Sequence, residues 1–162
     1  MNLKDTLSKN STLWLAFIAT ILLTFSFQVA VGIWDLTMID AISDPAETRL
    51  AIASMSSDQH VIHAWITGTL DVAYPLAYGA LFIGSGYKFY GKWGWLVAAP
   101  AYVVIPVDLL EGVVQVLALT NVTDWLDAKA ILTPLKTVLF LIGLLTTIVG
   151  WIIWLISKLR RS

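Results

Sequence analysis

Cysteine is absent from the chain, which excludes disulfides, thiolate metal sites, thiol nucleophiles and thiol redox relays, whichever compartment its loops face. Histidine is nearly absent. His60 and His63 are the only two, and a pair one helical turn apart on one segment is badly placed to ligate haem from both faces. Charge is scarce as well: Asp, Glu, Lys and Arg make up 13% of the residues, whereas soluble domains hold about a quarter. No basic stripe points to nucleic acid as a partner. P-loop, Rossmann and nucleophile-elbow patterns are missing, since Gly84-Ser85-Gly86 lacks a strand–turn–helix context. The residues identify no cofactor.

What the chain has in abundance is apolar surface. Hydrophobic residues reach 58% and the mean hydropathy is +0.79, more than a soluble core of this size can bury. The 162 residues suffice for four membrane spans of about 20 to 25 residues with short loops, forming one all-α bundle without a separate soluble domain. Hydropathy places these spans at about 12–34, 61–86, 93–119 and 131–157, with a long loop at 35–60. The first carries no charge between Asn10 and Trp34. Its apolar run exceeds a signal-peptide core and no A-x-A site follows, so it reads as a retained anchor. A soluble bundle is excluded because no span has a polar face wide enough to meet water along its length.

All eight tryptophans fall near predicted span ends, the pattern of an interfacial aromatic belt. Lys4, Lys9, Lys88, Lys92, Lys158, Arg160 and Arg161 share one flank, while the other holds Asp35, Asp40, Asp44, Glu47, Asp58, Asp124 and Asp127 against Arg49 and Lys129. The positive-inside rule then predicts a multi-pass protein of the cell inner (plasma) membrane with both termini cytoplasmic. In the outer loop, Asp44-Pro45-Ala46-Glu47 carries helix-start signals, with Asp44 as cap, proline in the first turn and Glu47 at the capping-box position. A short amphipathic helix is expected there, through about Met55, and another helix start near Thr123.

The polar residues inside the spans are the functional signal. On the second span His60, His63, Thr67, Asp71, Tyr74 and Tyr78 recur at steps of three or four and share one face. On the third, Asp108, Glu111 and Gln115 do the same. Counted at about 1.5 Å per residue, Asp71 and Asp108 fall near the midplane, with Glu111, Gln115, Lys136 and Gln28 in the outer half. A charge at such a depth costs about 3 kcal/mol on insertion scales, so these side chains are expected to face the interior or a wet cavity. Lys136 neutralises one of three acids, by depth Glu111. Two carboxylates are left to be held neutral by a proton or compensated by a cation. Pro75 and Pro106 release backbone carbonyls beside them.

The H-x-x-H pair, with Asp71 two turns deeper, is a weak metal candidate. A bundle-type carboxylate centre needs Glu-x-x-His pairs that this chain lacks, so two interfacial histidines at a cavity mouth are the preferred reading. Ala73, Ala77, Ala80 and Gly84 on the second span, with Gly143, Thr147 and Gly150 on the fourth, are packing stripes or an oligomer contact. The expected function is a membrane-embedded pocket for a lipid-like or small amphipathic ligand, lined by Asp71, Asp108, Glu111, Tyr74, Tyr78, His63, Gln115, Lys136 and Gln28, with membrane lipids as partners. Asp71, Asp108 and Glu111 are the candidate acids or bases if it catalyses. The alternatives are proton or cation transport through a homo-oligomer, and a noncatalytic subunit of a larger membrane complex.

Overall fold

A computed structural model describes residues 2–160; Arg161, counted above in the basic flank, lies outside them. The order is α1 (Leu3–Leu7), α2 (Asn10–Trp34), α3 (Pro45–Ser54), α4 (Ser57–Phe89), α5 (Gly94–Leu119) and α6 (Lys129–Leu159), with short 3-10 turns between α2 and α3, α4 and α5, and α5 and α6. No strand occurs among the described residues. Four of the helices are long and apolar enough to cross a membrane. At about 1.5 Å per residue the 33 residues of α4 and the 31 of α6 outrun a hydrocarbon layer of about 30 Å. They extend beyond the spans read from hydropathy because a helix continues through polar flanks as long as its backbone hydrogen bonds do.

Local chemistry sets the helix ends. Asp44 caps α3 by accepting from the backbone N–H of Ala46 (2.7 Å) and Glu47 (3.0 Å). The reciprocal capping box lies one helix later, where Ser56 and Gln59 cap α4. Gln59 also donates to the Asp35 carbonyl at 2.9 Å, which ties the end of α2 to the start of α4. Gly91 takes the turn between α4 and α5 at φ +53°, a conformation that favours glycine.

α4 is the central helix, packing on α2, α5 and α6, and α2 packs chiefly along α4. Antiparallel packing brings both chain ends to one end of the bundle, where Lys88 reaches the Ser8 carbonyl (3.2 Å) and Trp14 meets Trp151 edge-on (5.1 Å). α4 and α5 touch closely there, because a Cβ on Gly94 would sit 2.8 Å from the Gly86 carbonyl oxygen. Gly143 packs directly against the Phe82 ring and Gly150 against Phe89 and Tyr90, so these glycines serve contacts inside the bundle.

Two apolar clusters fill the interior. One, in the terminus-bearing half, joins Leu13, Tyr78, Phe82, Ala98, Ala101 and Val104; the other, under α3, joins Ile39, Ile52, Val114, Leu119 and Leu126. Between them runs a polar layer. Outward-facing surfaces of the long helices are mainly apolar: Leu15, Leu22, Phe25 and Ile33 of α2 are all more than half exposed, as are Trp65, Trp93, Trp95 and Trp125 near helix ends. A surface this apolar is compatible with lipid and not with water.

Candidate functional site

The polar layer is assembled from three helices and a loop. Steps of three and four on α5 bring Asp108, Glu111 and Gln115 to one inward face, and all three are buried. α4 contributes Asp71, Tyr74 and Tyr78. α6 contributes Lys129, Thr133 and Lys136 at i, i+4 and i+7. The loop after α2 folds back so that Ile39 enters the apolar cluster under α3, and that anchor carries Asp40 into the layer.

Lys136 lies at its centre, with Nζ 2.5 Å from Asp40 Oδ1, 2.7 Å from Glu111 Oε2 and 3.2 Å from Asp108 Oδ1. Pairing with Glu111 was expected from depth. Sharing among three acids was not. Lys129 corrects the sequence reading more strongly: taken there as a flanking charge, it is wholly buried and 2.5 Å from Glu111 Oε1, which Thr133 also contacts through its hydroxyl. Tyr78 donates to Asp108 Oδ2 at 2.7 Å, and Gln115 donates from Nε2 to Asp40 Oδ1 at 3.2 Å. Burial works against the Asp40 carboxylate, but the Lys136 ammonium and the bonds from Lys136 and Gln115 outweigh it and hold Asp40 below the usual carboxylate range.

The inventory is therefore four carboxylates, Asp40, Asp71, Asp108 and Glu111, against two ammonium groups. A surplus of two acids remains, as the sequence suggested, with different membership. Asp71 is the exception within it. Its side chain makes no hydrogen bond or ion pair with any described residue although Asp71 is 9% exposed. It lines a cavity of about 220 Å³ with Asp40, Asp108, Lys136, Tyr74, Tyr78, Thr137, Phe140 and Leu141. On the opposite side, Asp71 and Asp108 also border a mostly apolar groove of about 310 Å³ between α4 and α5, beside Gly68 and Gly112.

Carboxylate oxygens of Asp40, Asp71 and Asp108 lie within 4.8 Å of one another, a spacing open to a cation. Lys136 already contacts two of the three, so the protein supplies its own cation there. The weak metal set of His60, His63 and Asp71 is not brought together among the described residues. His60 instead places its ring nitrogens 2.8 Å from the Ile52 carbonyl oxygen and 3.2 Å from that of Leu119, latching the end of α3 to that of α5. His63 is buried, its Nδ1 has no hydrogen-bond partner, and it borders neither cavity containing Asp71. Gln28 is exposed on α2 and lines neither. Tyr74 lines the smaller cavity and accepts from the Thr24 hydroxyl of α2 at 3.3 Å.

A separate recess of about 350 Å³ between α3 and the end of α5 is bordered by Arg49, His60 and Asp124, but its charges are mutually satisfied. Arg49 Nε lies 2.6 Å from Asp124 Oδ2, and its Nη2 lies 2.9 Å from Asp127 Oδ1. The hydrogen bond from Arg49, with one from the Leu126 N–H, holds Asp124 below the usual carboxylate range. Lys129 and Thr133 stand at helical spacing to Lys136, but that signal holds only if α6 starts before its apolar run, as it does at Lys129. Asp40 left no such periodic signal, because a loop's return path is set by tertiary contacts. No family model, curated protein or solved structure matches the chain.

Proposed function

We propose that this chain is a multi-pass inner-membrane (plasma-membrane) protein, with both termini cytoplasmic, that holds an amphipathic, lipid-like ligand with a cationic head against Asp71 and Asp108. Sidedness follows from the basic residues at the terminus-bearing end, Lys4, Lys9, Lys88, Lys92, Lys158 and Arg160. Asp71 carries the ligand reading. It is a buried carboxylate without a hydrogen bond or ion pair to the protein, beside a cavity whose walls combine Asp40, Asp108 and Lys136 with Tyr74, Tyr78, Phe140 and Leu141. Two uncompensated acids in an apolar surrounding call for a proton or a positively charged group, and a ligand cation supplies the latter. If the ligand is turned over, the same carboxyl group is the natural acid or base.

The alternative, proton or cation transport, calls for an oligomer. Towards the terminus-bearing end the bundle closes on Phe82, Ala98, Ala101 and Val104, which offer no relay for a proton or ion within one chain. The test is retention of a cationic amphiphile, hexadecylamine, by protein in nanodiscs, read by native mass spectrometry. Asp71→Asn and Asp108→Asn, each checked for intact helicity and monodispersity, are expected to lose retention. Undiminished retention in both overturns the proposal.

A further inference from the structure

The site has an apolar continuation. Along α6, Thr137, Phe140 and Leu141 border the carboxylate cavity, while Leu144, Ile148 and Trp151 border a second cavity of about 320 Å³ closed by Trp14, Phe17 and Leu81. All lie at steps of three or four on one face of α6. On α4 the floor runs in the same way from Asp71 through Tyr74 and Tyr78 to Leu81. The two linings follow one another by a single helical turn on both helices, Tyr78 to Leu81 on α4 and Leu141 to Leu144 on α6, in a trough that closes where Trp14 meets Trp151. One end is acidic and the other apolar.

We infer that this trough is the track for a single long hydrocarbon chain, its cationic head at Asp71 and its tail end against the Trp14–Trp151 contact. The inference rests on the ligand reading above and adds the class of ligand: a one-chain amphiphile, since the cavities lie in series and not side by side. Charge complementarity at the acidic end selects the occupant. From Asp71, near the midplane, to Leu81 the floor on α4 rises about 15 Å, roughly the depth of one leaflet's hydrocarbon, so the track suits a single chain lying within the terminus-bearing half. Leaving bulk lipid gives such a tail no hydrophobic gain, and its placement depends on packing against the trough.

Hexadecylamine carrying a terminal diazirine, photolysed with the protein in nanodiscs, reads the position of the tail end by peptide mapping. Labelling of Phe17, Ile148 and Ile152 is expected to exceed that of outward-facing Leu145 and Ile153 about tenfold, equivalent to about 1.4 kcal/mol. Asp71→Asn is expected to abolish the preference. Ile148→Trp, at an exposed position, is expected to remove trough labelling while octylamine is still retained. Even labelling around α6, with octylamine retention still dependent on Asp71, overturns the track alone; octylamine retention independent of Asp71 overturns the pocket reading beneath it.

Discussion

Glu111 and Lys129 show how a single buried residue is felt through charge counting. Both side chains are 0% exposed and 2.5 Å apart, and Glu111 is also 2.7 Å from Lys136. Removing one partner of a buried pair leaves the other uncompensated, at a cost of about 3–5 kcal/mol, whereas removing both keeps the balance. Lys129→Met is therefore expected to lower the unfolding midpoint in detergent strongly. The double variant Lys129→Met/Glu111→Gln, which restores the original surplus of two acids, is expected to recover much of the loss. Thermal denaturation of the parent, Lys129→Met, Glu111→Gln and the double variant side by side checks this, and an additive double variant would contradict it.

At the scale of elements, α3 is held to the bundle by different means from the spanning helices. Ile52 and Thr48 are buried beneath it, His60 braces its end, and Arg49 reaches across to Asp124 and Asp127 from its exposed face. Because the Arg49 pair is exposed, its loss should leave the global unfolding midpoint almost unchanged while loosening α3. Arg49→Ala is expected to raise amide exchange at 45–54 and 123–128 and nowhere in the spans. The pH dependence has a definite sign. Asp124 is held below its ordinary value, so the pair contributes at neutral pH and is lost as pH falls through that depressed value. Acidification below about pH 4 should loosen α3 in the parent protein by the same amount as the substitution, after correction for intrinsic exchange. In Arg49→Ala that acid step should be missing.

At the scale of the whole molecule, antiparallel packing of four long helices places both chain ends together and α3 at the far end. With the basic residues gathered at the terminus-bearing end, that end is expected to face the cytoplasm. The cysteine-free sequence makes this directly measurable. A membrane-impermeant maleimide applied to sealed cells should label Ser54→Cys and spare Lys158→Cys until the membrane is opened; the reverse pattern would invert the topology.

Hydropathy and helical periodicity, both local properties of the chain, were enough to mark four apolar helices, the Asp44 cap of α3 and the inward stripes of α4 and α5. Each depends on neighbours within a few residues, where backbone geometry is fixed in advance. The membership of the polar layer depended on contacts that no local pattern encodes. Asp40 joins it because Ile39 buries in a distant cluster, and Lys129 because α6 begins earlier than its apolar run and turns that stripe towards Glu111. His60 and Gln28 sit at suitable spacing and depth, yet the packing turns one to backbone carbonyls and leaves the other exposed. Sequence alone determined that buried acids would exceed buried bases, a matter of composition and depth; the excess is two in both counts because the omissions of Asp40 and Lys129 offset each other. Only the tertiary structure decided which carboxylate stands without a partner, because Lys136 can reach Asp40, Asp108 and Glu111 from its place on α6 while Asp71, across the cavity on α4, is left to whatever enters it.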